Sequence, residues 1–359
     1  MGNCCKKRKS EIYISNKIPL KTNDENMISQ KEFEKIKIIG SGSFGNVYLV
    51  KNKRNNKYYA MKILEKSLIK QKSQEDQTIS ERILMARFNN PFLVKLHYCF
   101  QDTQNLYFII ELVQGGELLY HLRKQIRFDD ERTRFYISEL ILALEFLHNN
   151  NIIYRDIKPE NILIDKTGYI KLIDFGLSKL YKDINEKMYT ICGTPLYLAP
   201  EVVANKGYNN SSDWWSLGCL MYEMISGNAP FKIDGNNIYS LKFDEPIKFD
   251  KCFSEEAKDL IKKLLNIDPK KRLGYGKNGI EDLKNHPYFK DVNWENLKNL
   301  KETLPFIPEI NDPTDLKYFD TKIGDINQNN NDDNNISIVD NYVNFSYYES
   351  NPENEDSKE

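Results

Sequence analysis

Apolar positions recur densely from Phe33 to about Phe289 and thin out on either side. Residues 1–32 are polar and show no sustained apolar period. Inside the dense region the period changes along the chain. A strand, a glycine turn and a second strand open it, and Tyr58 to Leu64 (YYAMKIL) predicts a third strand. Over residues 75–87 the spacing becomes helical, with Ile79, Ile83 and Ala86 on one face. Leu106 to Leu112 predicts a buried strand. Arg132 to His148 predicts an amphipathic helix with Phe135, Leu140, Leu144 and Leu147 on its core side. Asp213 to Ser226 is apolar on nearly every face, through Trp214, Trp215, Leu217, Leu220, Met221 and Met224. Such a helix belongs at the centre of a lobe, and Asp213 is placed to cap it. From Lys290 the pattern breaks at Pro305, Pro308 and Pro313, and NQNNNDDNN at 327–335 is low-complexity and reads as disordered. An aromatic cluster, Tyr342 to Tyr348, follows. There is no internal repeat.

At 359 residues the chain is long enough for two lobes with a large buried core. Its formal net charge is -1, from 51 basic and 52 acidic residues, which argues against bulk attraction to nucleic acid. The cysteines Cys4, Cys5, Cys99, Cys192, Cys219 and Cys252 form no metal-type pair, and no secretory leader precedes them, so reduced cytosolic thiols are expected. No uncharged apolar run approaches the roughly 20 residues that span a bilayer.

The chemistry concentrates in residues 154–176, YRDIKPENILIDKTGYIKLIDFG. Phosphoryl transfer needs an acid to orient the attacking hydroxyl, a cation for the moving group, and oxygen ligands for magnesium. Asp156, Lys158, Asn161 and Asp174 offer all three within one segment. Upstream, Gly40-Ser41-Gly42-Ser43-Phe44-Gly45-Asn46-Val47 lies between two strand-like runs. Glycines let the backbone approach a triphosphate, and main-chain N–H groups then face its oxygens. A dinucleotide fold would need the third glycine to open a helix, whereas Val47 to Val50 continues as strand. An ordinary glycine hairpin is the bland alternative. Lys62, on the following strand, weighs against it.

These motifs and their separations resemble the catalytic core of a eukaryotic protein kinase. The resemblance implies an α+β, two-lobed fold: a small β-rich lobe over 33–113 and a large, mostly helical lobe over 114–289. It implies ATP and Mg2+ as cofactors. Asp156 then orients the acceptor hydroxyl, and Lys158 stabilises charge on the γ-phosphate. Lys62 holds the α- and β-phosphates and pairs with Glu81, while Asn161 and Asp174 ligand magnesium. Ile39 and the turn residues from Gly40 to Val47 cover the nucleotide. The carbonyl of Glu111 and the N–H of Val113 receive adenine, with Val47, Ala60 and Leu163 against its faces. Lys158 with Thr194 resembles the serine/threonine branch.

Further features are similar to the AGC group, which includes cyclic-nucleotide-dependent kinases and protein kinase B. They are Tyr154 before Arg155, the activation segment Tyr189 to Glu201, the tail PFIPEINDPTDLKYFD at 305–320, and YVNFSY at 342–347. The resemblance runs from about Phe33 to Tyr347, with residues 290–359 as a C-terminal extension. It implies an activating phosphate on Thr190, added by an upstream kinase, with Arg155 and Lys179 as partners. It implies a structural ion pair between Glu201 and Arg272. Ser346 becomes a second phosphosite, and Tyr342, Phe345 and Tyr347 dock on the small lobe. Glu117, Glu160 and Glu223 fall where relatives bind arginines ahead of the acceptor, and Ile191, Pro195 and Leu198 suggest an apolar pocket after it. Two departures stand out: Leu196 replaces a usual glutamate, and residues 322–336 contain no serine or threonine for a turn-motif phosphate.

The start, Met1-Gly2-Asn3-Cys4-Cys5-Lys6-Lys7-Arg8-Lys9-Ser10, reads as a lipidation cassette. Gly2 is a myristoylation candidate, and Cys4 and Cys5 are palmitoylation candidates. Lys6 departs from the stated pattern. One acyl chain binds only marginally, and this segment offers both a second chain and a basic patch. The expectation is a signalling kinase acting on protein substrates at the cytoplasmic face of a membrane. The alternative is a membrane-tethered kinase-fold scaffold without catalysis. A calcium-dependent kinase is disfavoured, because no EF-hand loop pattern appears.

Overall fold

The computed structural model describes residues 28–182, 186–235, 237–319, 342 and 345–348. Gly2, Cys4, Cys5 and the run at 327–335 lie outside the described residues. The fold is α+β, with a β-sheet lobe above a helical one.

The small lobe is built from β1 (Phe33–Gly42), β2 (Gly45–Asn52), β3 (Tyr58–Glu65), α1 (Lys66–Gln71), α2 (Glu75–Arg87), β4 (Leu96–Gln101) and β5 (Asn105–Glu111). All the strand pairs are antiparallel. In β3, Lys62 stands between Val47 of β2 and Phe108 of β5. Side chains alternate across a strand, so Met61 and Ile63 go to the opposite face. There they join a second apolar cluster with Phe33, Val50, Tyr59, Tyr107 and Ile109.

Helix α2 has the expected bounds but buries a different face. Thr78, Glu81, Arg82, Leu84 and Met85 are buried, while Ile79, Ile83 and Ala86 are half-buried. The periodicity of apolar residues misses this because two of the buried side chains are ions with assigned partners. Glu81 meets Lys62, and Arg82 meets the tail.

The large lobe contains α3 (Leu118–Gln125), α4 (Asp130–Asn149), β6 (Ile152–Ile153), β7 (Ile162–Ile164), β8 (Ile170–Leu172), β9 (Lys179–Leu180), α5 (Pro200–Val203), α6 (Ser211–Ser226), α7 (Glu255–Leu264), α8 (Gly279–Lys284) and α9 (Trp294–Lys298). Asp129 caps α4 by accepting from Arg132 N at 2.8 Å. Leu140, Leu144 and Leu147 are fully buried, and Phe135 packs half-buried beside them. Helix α6 runs through the centre, with Trp214, Trp215, Leu217, Leu220, Met221 and Met224 inaccessible to solvent. It stops at Gly227, whose φ of 77° is left-handed and where a Cβ would lie 2.4 Å from the Ile126 carbonyl oxygen.

Asp213 does not cap α6. The capping position belongs to Asn210, and Asp213 turns inward. Its carboxylate accepts from Tyr154 N at 3.0 Å, Arg155 N at 2.8 Å and His148 Nε2 at 2.8 Å. A carboxylate this buried requires donors, and it finds them in the backbone just ahead of Asp156.

Described parts of the tail touch both lobes. Tyr318 packs so close to the strand-to-helix link that a Cβ on Gly116 would lie 2.4 Å from its carbonyl oxygen. At the far end β10 (Tyr347–Tyr348) adds to the open edge of β4, giving the order β1-β2-β3-β5-β4-β10. Covering an edge removes a row of unpaired backbone groups. Phe345 is buried with its ring edge-on to Phe108 at 5.4 Å. Arg82 donates to the carbonyls of Phe345 at 3.1 Å and Ser346 at 2.9 Å. Gln101 exchanges hydrogen bonds with the backbone of Tyr342 at 2.8 and 3.1 Å. No helix among the described residues is long and apolar enough to cross a membrane.

Candidate active site

A cleft of about 1060 Å³ separates the lobes. Ile39, Gly40, Ser41, Gly42 and Val47 line its roof, with Ala60 and Lys62 from β3. Glu111 and Val113 line its back, and Lys158, Asn161, Leu163 and Asp174 form its floor. Ser43, Phe44, Gly45 and Asn46 are at the far end of the β1–β2 turn and do not line it. Gly45 has its own reason to be glycine: an added Cβ would lie 2.0 Å from the Ile63 carbonyl oxygen. Glu111 is fixed by accepting from Lys95 N at 2.7 Å and pairing with Lys171 at 3.0 Å.

Lys62 Nζ lies 2.7 Å from Glu81 Oε1. Burial pulls the Lys62 ammonium down, but Glu81 and Asp174 outweigh it and leave the group above its ordinary value. Lys62 is therefore charged at neutral pH. Burial raises the Glu81 carboxyl, Lys62 opposes that, and Asp174 adds to it.

Asp156 is buried, and three side chains converge on it. Asn161 Nδ2 donates to its Oδ2 at 2.8 Å and to its carbonyl at 2.9 Å. Lys158 Nζ lies 2.8 Å from Oδ2, and Thr194 donates to Oδ1 at 3.0 Å. The loops that hold Asp156 and Asp174 have unusual backbone. Arg155 and Asp174 have φ of 72° and 59°, left-handed values that non-glycine residues adopt rarely. Phe175, next to Asp174, is buried edge-on against Tyr154 at 5.7 Å. The Tyr154 hydroxyl donates to the Ile173 carbonyl. Buried tyrosine and backbone contacts thus aim Asp174 at the cleft, where Gly176 N donates to its Oδ1 at 3.1 Å.

The fit of these groups to magnesium follows from what they leave free. Asn161 uses its amide nitrogen on Asp156, so an oxygen remains, and Asp174 presents an exposed carboxylate. Hard oxygen ligands suit magnesium, which takes one or two protein groups and completes its shell with phosphates and water. Among the described residues no cluster of three acidic, histidine or cysteine ligands exists.

Residues 33–289 match the protein kinase domain family. The chain belongs to the protein kinase family. It is 46% identical over 291 residues to the cAMP-dependent protein kinase catalytic subunit of Dictyostelium discoideum, covering 81% of this chain and 44% of that protein. It is 44% identical over 303 residues to the serine/threonine-protein kinase gad8 of Schizosaccharomyces pombe, covering 84% of this chain and 53% of that protein. It is 44% identical over 291 residues to the serine/threonine-protein kinase Sgk1 of Xenopus tropicalis, covering 80% of this chain and 69% of that protein. Such relatives place the kinase in the AGC group. The match spans only about half the length of the first two relatives.

Other sequence-derived residues of this kinase lie in separate places. Glu160 and Glu223 come together on the large lobe. Glu223 accepts from the Tyr197 hydroxyl, and Glu160 keeps a buried oxygen without a hydrogen-bond partner. Burial holds the Glu223 carboxyl above its ordinary value; the Tyr197 hydrogen bond opposes this and the Glu160 charge adds to it. Glu117 lines the cleft from the start of α3. Thr190 is exposed. Its carbonyl accepts from the Tyr208 hydroxyl at 2.8 Å, and Arg155 donates to that hydroxyl at 3.2 Å. Lys179 is exposed on β9, beside the strand that leads to Tyr154. Arg272 and Glu201 form a two-point buried pair at 2.7 and 2.9 Å.

Sequence reasoning missed several cleft residues. Tyr318 and Phe319 line the cleft from the tail. The YFD run was visible as a family likeness, but nothing local announces a contact with a hinge two hundred positions away. Thr194 was noticed as a branch marker, not as a ligand of Asp156.

Proposed function

We propose that this kinase transfers the γ-phosphoryl group of ATP to serine and threonine hydroxyls of proteins. The observation that carries the reading is the convergence of Asn161, Lys158 and Thr194 on the Asp156 carboxylate. A carboxylate held by three donors, two of them on the cleft-lining Lys158 and Asn161, is fixed in place, and an acceptor hydroxyl entering beside them can donate to it. Lys158, paired with Asp156, also faces the cleft and can balance charge on the group in transit. Lys62, kept charged and held by Glu81, orients the phosphates from above. Asn161 and Asp174 would hold magnesium, which would neutralise phosphate charge. The purified chain, given ATP, magnesium and a peptide with arginines before a serine, is expected to phosphorylate that serine. No transfer to any basic serine or threonine peptide would end this reading.

The pair Glu160 and Glu223 supports a preference for arginine ahead of the acceptor. A guanidinium matches carboxylates in two-point geometry, and here it would meet a buried oxygen that lacks a donor. Glu223→Gln is expected to raise KM for an arginine-containing peptide by about tenfold or more, with kcat nearly unchanged. The sign of the pH effect follows from the raised Glu223 carboxyl. The guanidinium binds the ionised form, so KM for the arginine peptide rises as pH falls through that value. A peptide without arginine shows no such rise. Steady-state kinetics on the two peptides between pH 5 and 8 checks it.

Regulation is proposed at both ends. A phosphate on Thr190 would add close to two negative charges to a segment whose backbone is tied through Tyr208 to Arg155, and Arg155 and Lys179 are its proposed partners. A phosphate on Ser346 would sit beside a segment already seated on α2 by Arg82. Both need an upstream kinase. At the start, acylation of Gly2, Cys4 and Cys5 would hold the enzyme at the cytoplasmic face of a membrane. Gly2→Ala is expected to move most of the protein from the membrane to the soluble fraction, and an unchanged membrane fraction would rule out the tether.

A further inference from the structure

The far end of the glycine turn is held from outside the cleft. Lys72 ends α1 and is exposed. The corner it occupies is tight. Lys72 N donates to Leu68 O at 3.1 Å, Ser73 N to Lys70 O at 3.1 Å, and Gln74 N to Ile69 O at 3.0 Å. Ser73 is left-handed at φ 53°, and Ile69 is fully buried, so the corner has a fixed position on the lobe. From it the Lys72 side chain reaches back to the β1–β2 turn. Its Nζ donates to the Ser43 carbonyl at 2.9 Å and lies 4.7 Å from the centre of the Phe44 ring. The Phe44 carbonyl in turn accepts from Glu65 N at 3.0 Å. Two anchors thus hold a turn whose glycines would otherwise leave it free.

We propose that Lys72 is a positioning residue for the nucleotide. It fixes the Ser43 carbonyl and the Phe44 ring, and through them the turn whose Gly40, Ser41 and Gly42 line the cleft. Lys72 itself does not line the cleft, so its effect passes through the turn. The ligand's identity rests on the phosphotransfer reading above. The anchoring is a property of the nucleotide-free protein. Ordering a glycine-rich segment costs conformational entropy, and an existing anchor removes part of that cost before the ligand arrives. If losing it cuts the competent population to about a tenth, apparent affinity falls about tenfold.

Three variants, two readouts and two controls test this. Lys72→Ala is expected to weaken binding of magnesium-ADP, measured by calorimetry, about five- to tenfold. In nucleotide-free protein the amides of Ser43, Phe44 and Gly45 are expected to exchange faster by a similar factor. KM for peptide and the thermal midpoint stay at wild-type values. Lys72→Arg keeps both the donor and the cation over the ring and restores affinity and protection. Phe44→Leu, which keeps the carbonyl contact and loses the ring, falls between. Wild-type exchange at the turn in Lys72→Ala, or unchanged ADP affinity, overturns the proposal. If wild-type protein binds no adenine nucleotide, the phosphotransfer reading fails, while the exchange measurement still decides the anchor.

Discussion

Asp156→Asn is expected to lower kcat by about a thousandfold, within the 10²–10⁴ range for a positioned acid–base group. KM for ATP should move little. The substitution preserves shape and removes charge. Thr194 can still donate to the remaining oxygen, but the new amide group faces Asn161 Nδ2 and Lys158 Nζ, both of which are donors. The side chain must therefore rotate or lose partners, and it can no longer accept the proton of an incoming hydroxyl. In the proposed reading the nucleotide is held by other groups that line the cleft: Lys62 above, the β1–β2 turn, and the Glu111 to Val113 segment. The check combines steady-state phosphotransfer with a direct measurement of ADP affinity. A rate within tenfold of wild type would remove Asp156 from its assigned role. It would also favour the scaffold alternative if the wild-type rate is itself negligible.

Much of this site is legible because its parts are short and local. Asp156, Lys158 and Asn161 lie within one loop, and Asp174 is one hairpin further, so their spacing survives in the sequence. Helix α6 is legible for a different reason: nearly every face is apolar, and only the centre of a lobe accepts such a helix. What escapes is polar burial. Glu81 and Arg82 sit on the buried face of α2 because Lys62 and the tail carbonyls wait there, and hydropathy counts them as surface. Asp213 lies inside α6, which starts two residues earlier at Ser211, and its carboxylate turns to the Tyr154 and Arg155 amides. Tyr318 belongs to the cleft because its stretch of the tail packs against Gly116. Each miss involves a partner distant in sequence.

Removing one member of the Glu201–Arg272 pair should be strongly destabilising. The Arg272 side chain is wholly buried and Glu201 is 7% exposed, so neither charge has water to fall back on. Arg272 does more than pair. It donates to Ser211 O at 2.9 Å and Asn266 O at 3.1 Å, and its guanidinium lies 5.2 Å from the Trp215 ring centre. One side chain thus joins α5, the start of α6 and the segment after α7. Glu201→Ala leaves that guanidinium buried with two carbonyls and no counter-charge, a loss of about 3–5 kcal/mol. For a lobe of this size that is about a 10 °C fall in thermal midpoint. Glu201→Gln retains one acceptor and should lose less. Replacing both partners with leucine should recover part of the loss, because the penalty of one stranded ion is then gone. Added salt should not reproduce the effect, since screening acts weakly on a pair without solvent contact. Thermal unfolding by circular dichroism at low and high ionic strength checks all three variants. A fall below about 2 °C for Glu201→Ala would mean that the carbonyl partners alone stabilise the buried guanidinium.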